Sequence, residues 1–208
     1  MKMPSTCGWF LLLLLVLKRS SSLAPRIVWF RDHALRTLDN ESLTAAVEKP
    51  TIPVFLWNGS RTSKGGTASD VFLSRALESL NQTLSGRLIV GMIKEDTPGA
   101  FVQELAYMSQ QTTATEIYYM QSPYRQDEDD ISSLMKQHGL GPNGYSGTNL
   151  MDYRKHPAPP LIPFVDYVRH TLDGNPPPVP LSQPSLDSIL SPKAISIVQN
   201  SVTIEELK

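Results

Sequence analysis

Between Ile27 and Gly139 the chain alternates short apolar runs with longer stretches whose apolar residues recur at helical spacing. That order predicts an α/β fold, a parallel sheet with helices on both faces, because parallel strands need crossovers and each gap is long enough to hold one. Ile27 to Phe30 is the first predicted strand. A charged loop then leads to a helix starting at Asp39 or Asn40, both good N-cap residues, and running through Leu43, Ala46 and Val47. Ile52 to Trp57 is the second strand, opening into a polar loop from Asn58 to Thr67. The next helix, Ser69 to Leu84, places Leu73, Leu77, Leu80 and Leu84 on one stripe, and core packing explains that stripe fully.

Leu88 to Gly91 is the third strand. Pro98 to Gln110 follows as a helix with proline in its first turn and Phe101, Val102, Leu105 and Ala106 facing inward. Glu116 to Met120 is the fourth strand. The acidic run Asp127 to Asp130 reads as the solvated first turn of a helix carrying Ile131, Leu134 and Met135, with Gly139 as its stop. Gly141 to Gly147 reads as turn-rich, and Asn149 to Tyr153 is the one stretch fit for a short fifth strand.

The ends have a different character. Lys2, the apolar run Trp9 to Leu17 and the Ser-rich exit Lys18 to Ala24 give residues 1–25 the layout of a signal or targeting peptide. The run is about half of the roughly 20 apolar residues that a membrane span needs, so no membrane association is expected once the peptide is removed. Residues 26–155 form the predicted domain. Residues 156–208 form a connector and tail, with nine prolines between His156 and Pro184 and a weakly amphipathic segment from Ile195 to Leu207.

Charge and cysteine content narrow the chemistry. The chain of 208 residues is long enough for one ordinary domain. Its single cysteine, Cys7, lies in the targeting segment, so the mature chain is expected to have no disulfide, no cysteine zinc site and no cysteine nucleophile. Without residues 1–25 there remain 16 basic and 20 acidic groups, a net charge of −4. Such a surface has no overall grip on phosphate backbones, and no direct DNA binding is expected. Sequons begin at Asn40, Asn58 and Asn81, and a glycan at a helix start such as Asn40 is badly placed. Together with the missing thiols they favour a plastid reached through a signal peptide, with secretion as the alternative.

No catalytic or metal constellation is expected. His33, His138, His156 and His170 lack zinc-type spacing, there is no Gly-x-Ser-x-Gly elbow, and Lys64-Gly65-Gly66-Thr67 only loosely resembles a phosphate loop. Arg31 and Arg36 can read a phosphate or a partner carboxylate, although a surface arginine at a strand exit is the commoner case.

Two motifs carry a family likeness: Val28-Trp29-Phe30-Arg31, and Leu35-Arg36-Thr37-Leu38-Asp39-Asn40. They resemble the opening strand and loop of the DNA photolyases and cryptochromes. Ile52 to Trp57 and the segments Ala68-Ser69, Phe72-Leu73 and Leu77 to Leu80 are similar to that family's second strand and helix. The resemblance covers about Arg26 to Asp152, with Pro163-Phe164 and the later prolines resembling the interdomain connector. It implies a doubly wound, five-stranded parallel sheet of Rossmann or flavodoxin type, with an antenna chromophore, folate or flavin-type, near the carboxyl ends of the strands. In the family, FAD and the flipped pyrimidine dimer are held by a larger helical domain beyond the connector, so FAD is not expected on this chain alone. Asp32-His33-Ala34 carries one residue more than the family loop. Met120 to Arg125 also departs from the Asn, Tyr and carboxylate pattern of folate-binding members, which counts against the usual folate mode.

The expected contacts to a chromophore are Trp57, Asn58, Met120, Gln121 and Tyr124. The expected function is a truncated or stand-alone α/β domain related to blue-light DNA repair or photoreception, without photorepair activity of its own. Two alternatives are a non-enzymatic module docking a separate helical, FAD-binding partner, and a generic adenine-nucleotide-binding domain.

Overall fold

The computed structural model describes residues 24–59, 68–122, 127–146 and 181–190. Within them the chain forms β1 (Arg26–Phe30), α1 (Glu41–Ala46), β2 (Thr51–Asn58), α2 (Ala68–Thr83), β3 (Ile89–Ile93), α3 (Pro98–Thr112), β4 (Glu116–Met120), α4 (Glu128–Gln137) and β5 (Gly141–Tyr145). The five strands are all parallel in the order β3-β2-β1-β4-β5. The sheet is thus doubly wound. Successive crossovers move outward from β1 to β3, and the chain then returns to the other side of β1 as β4.

Each strand alternates its side chains between two cores. On one face Ile27, Trp29, Val54, Leu56, Ile117 and Tyr119 pack under α3 and α4, against Val102, Leu105, Ile131 and Met135. On the other, Val28, Phe30, Phe55 and Trp57 pack under α1 and α2. The predicted leucine stripe of α2 supplies Leu73, Leu77, Leu80 and Leu84 to that second core, all buried. Each such burial stabilises the fold by about 1.5–3 kcal/mol before entropy is counted.

Local chemistry sets the helix starts. Asn40 is the N-cap of α1, accepting from the Leu43 N–H through Oδ1 and donating from Nδ2 to the Arg36 carbonyl. Its side chain therefore ties the loop after β1 to the helix. An Asn40→Ala chain is expected to lose about 1–2 kcal/mol, read from the urea midpoint, since one change removes the cap and a loop bond. Thr97 caps α3 in the same way, with Pro98 in the first turn, and Gly139 ends α4 at a φ of 74°.

Two sequence expectations change. The fifth strand is Gly141–Tyr145, whereas Asn149 to Tyr153 lies outside the described residues. Its residues have little intrinsic strand preference; the ladder with β4 makes it, through Gly141 N–H to Thr115 O and Gln121 N–H to Tyr145 O, both 2.7 Å. Pro142 is tolerated because β5 is an edge strand. Gly144 is needed for close approach, as a Cβ there stands 3.1 Å from the Tyr119 ring and 2.8 Å from the Gln121 amide.

The second change concerns charge. Glu128 of the acidic run and Arg31 at the exit of β1 are both buried, and they form an ion pair at 2.6 Å. A carboxylate read as solvated and an arginine read as a surface group are each other's partner. The tail adds a contact of its own. Residues 181–190 return to the sheet, where Thr51 donates to Ser188 O and Leu190 donates to Thr51 O. β3 starts only opposite Val54, so beside Thr51 its lane is empty, and Ile189 fills it as a parallel bridge. Arg87 fixes this segment through the Leu186 and Ile189 carbonyls, and Leu181 donates to Asp39 at its far end.

Candidate functional site

A doubly wound sheet leaves a crevice at the carboxyl ends of its strands, beside the point where the strand order reverses. Here that point lies between β1 and β4, and a cleft of ≈ 250 Å³ opens next to it. β1 contributes Trp29 and the residues just beyond it, Arg31 to His33. β2 contributes Phe55, Leu56 and Asn58, and Ile93, Asp96 and Phe101 close the side of β3 and α3. Ser122, two residues past β4, completes the described lining together with Leu73 of α2.

Aromatic packing makes the floor rigid. Trp29 sits 5.2 Å from Phe101 and 5.6 Å from Tyr119, centroid to centroid, in tilted contacts. The Arg31 guanidinium lies over the Trp29 ring at 4.8 Å. One oxygen of Glu128, at the first turn of α4, accepts from Arg31 Nη1 at 2.6 Å and from the Ser122 N–H at 2.9 Å. A single carboxylate thus joins the loop after β1 to the loop after β4, across the switch point.

The loop after β1 doubles back through a turn in which Ala34 N–H donates to Arg31 O. This brings His33 to the Gln121 backbone, with which it hydrogen-bonds. Burial, and then the positive charge of Arg31, lower the His33 pKa below its ordinary value. In the unfolded chain His33 titrates at its ordinary value of about 6.5. As pH falls below that value the unfolded state takes up the proton first, so the folded state loses stability through this window. The expected result is a urea midpoint that drops between pH ~7.5 and ~5.5, with a smaller drop for His33→Gln. An unchanged slope in the variant would place the acid sensitivity elsewhere. Burial, in contrast, raises the pKa of Tyr119 beneath the site.

The five residues expected from sequence are not brought together as one set. Asn58 lines the cleft. Gln121 stands behind it, through its contact with His33 and its position over Gly144. Trp57 is on the opposite face, 1% exposed in the second core beside Phe55, and Met120 is buried at the end of β4. Tyr124 lies outside the described residues. Sequence reasoning did not select Trp29, His33, Asp96, Phe101 or Glu128. Strand parity was an available signal: Asn58 shares its face with Trp29 and Leu56, whereas Trp57 cannot. Among the described residues no group of His, Cys, Asp and Glu is placed to hold a metal, and no helix is long and apolar enough to cross a membrane.

Sheet order and cleft together define a doubly wound α/β domain with a cleft beside its switch point. The DNA photolyase family model matches residues 26–165, and the chain belongs to that family. Its fold is similar to that of a cryptochrome from Synechocystis, with a TM-score of 0.64 and 21% identity over 87% of this chain. It is likewise similar to a bacterial class III photolyase from Agrobacterium tumefaciens, with a TM-score of 0.69 and 24% identity over 89% of this chain. The chain spans 40% and 38% of the length of those two proteins. No curated protein sequence matches it significantly.

Proposed function

We propose that this chain is an antenna-type domain whose cleft holds the light-absorbing ring system of a folate- or flavin-type chromophore. The observation that carries the reading is the lining: Trp29 and Phe101 offer ring faces, while Asn58 and Ser122 offer polar atoms, at the strand ends where this architecture binds ligands. The ≈ 250 Å³ of the cleft is below the roughly 300–1,000 Å³ typical for a whole drug-sized ligand. It fits a fused ring head. The residues present suit that head: the aromatic walls exclude water from its faces, and Asn58 orients an edge. When bound, the chromophore supplies light absorption; the protein supplies position.

Repair or signalling chemistry is assigned in this reading to a helical FAD-bearing unit and not to this chain. The test is to mix the purified protein with folate and flavin candidates, desalt it, and record absorption. A chromophore retained at a stoichiometric level supports the proposal, and a colourless protein with an unchanged thermal midpoint overturns it.

One observation favours a second reading, docking to a separate helical partner. Val71 and Phe72, at 50% and 75% exposure, stand beside Leu73 on α2 and present apolar surface near the cleft. Co-purification of a flavin-bearing helical protein supports this reading, and a monodisperse monomer in the presence of such a protein counts against it. For the compartment, a route without glycosylation is proposed, the plastid being favoured. Asn40 is 1% exposed with both side-chain atoms hydrogen-bonded, and Asn81 accepts from the Leu88 N–H. Secretory expression should yield folded protein without a glycan at Asn40, read by mass.

A further inference from the structure

Glu128 is not among the residues lining the cleft, yet its carboxylate sets the charge inside. Arg31 is the one arginine or lysine among the described residues that line it. Its Nη1 lies 2.6 Å from Glu128 Oε1, and both side chains are almost completely buried, at 4% and 3% exposure. Its guanidinium face is stacked on Trp29. The charge of Arg31 is therefore met within the protein before any ligand arrives. Asp32 and Asp96, also on the lining, are carboxylates and have only acceptor atoms to offer. Burial and then Arg31 lower the His33 pKa, which disfavours its cationic form.

We infer that Glu128 is a specificity-determining residue of this site: by neutralising Arg31 it makes the cleft select an uncharged chromophore over the same chromophore bearing a phosphate on its tail. The inference rests on the chromophore reading above and narrows it to ligands whose anionic groups, if any, stay out of the cleft. Phosphate recognition needs an uncommitted cation, a helix N-terminus or a nest of N–H groups. In the cleft, the Ser122 N–H and the Arg31 Nη1 donor are both already given to one carboxylate. Removing the negative charge of Glu128 while keeping its shape returns Arg31 to the ligand.

The test compares riboflavin with FMN, which share one ring and differ by a phosphate, by fluorescence titration of the full chain. The wild type is expected to bind riboflavin at least as tightly as FMN. Glu128→Gln is expected to shift the ratio of the two affinities toward FMN by about tenfold, as a buried charge left uncompensated acts over the length of the ligand. Should that variant fail to fold, the pair is removed together as Arg31→Met with Glu128→Leu. That chain is expected to keep the wild-type ratio. Tenfold tighter FMN binding by the wild type, an unchanged ratio in Glu128→Gln, or a double variant that selectively loses FMN each overturns the inference. A wild type that retains neither flavin overturns it too: if folate is retained instead, the chromophore reading stands alone, and if nothing is retained both fall.

Discussion

A Glu128→Ala chain is expected to be about 3–5 kcal/mol less stable than the wild type, a large part of the 5–15 kcal/mol that holds a typical domain together. The size follows from burial on both sides of the contact. Glu128 and Arg31 expose 3% and 4% of their side chains, so truncating the acid leaves a guanidinium with no counter-charge in a place water barely reaches. It also strands the Ser122 N–H, which gives its hydrogen bond to the same oxygen. Urea unfolding at constant m-value measures the loss. A change below about 1 kcal/mol, the range of an exposed pair, would show that the contact is wetter than its geometry says. Replacing both partners with apolar residues of similar volume should recover most of the loss, because the cost arises from the orphaned charge and not from the missing attraction.

Trp29→Ala is expected to cost a similar amount, about 3–5 kcal/mol, for a different reason. Trp29 is 3% exposed in the centre of the sheet, between β2 and β4, with Phe101 and Tyr119 on it and the Arg31 guanidinium over its ring. Deleting the indole opens a void that neither neighbouring ring can fill without leaving its own contact, and the packing around it is fixed by backbone ladders on both sides. Trp29→Phe keeps part of the aromatic surface and should cost roughly 1–2 kcal/mol. Because Trp29 also lines the cleft, Trp29→Ala should lose chromophore retention even at low temperature, where the variant is still folded. Full retention by a folded Trp29→Ala chain would remove the indole from the binding surface.

Much of the fold could be read from the chain because local preference and tertiary need agree there. The strand Glu116–Met120 and the leucine stripe of α2 are examples, since apolar spacing alone identifies a buried strand and a one-sided helix. Gly141–Tyr145 could not be read so, because its strand character belongs to its partner β4 and not to its own glycines and proline. The same distinction governs the site. The place of Asn58 on the cleft lining follows from its position at a strand end, whereas the Arg31–Glu128 pair joins residues separated by 97 positions, and nothing in either local sequence announces the other. Trp57 illustrates a third case: it stands at a strand end with the chemistry of a ligand contact, but the parity of β2 sends it to the far core. The family likeness in the first strand and loop carried the architecture, and the family match over residues 26–165 bears it out.

The bridge between Thr51 and Ile189 bears on the order in which the molecule is assembled. Three of the four strand pairs join neighbouring elements and the β1–β4 pair spans 90 positions, but the segment at 181–190 joins the sheet through bonds spanning 99 to 142 positions. Contacts at such distances come late, because the entropy of closing the loop must be met before they can form. Until then Thr51 presents bare backbone donors and acceptors beside β3, an open edge of the kind through which sheets pair with each other. Ile189 acts as a seal set last, and a polypeptide cut back to the end of the family match would fold into a molecule that is permanently waiting for it. Hydrogen exchange at the Thr51 amide, slow in the whole chain and fast in the shortened one, is where that difference would be read.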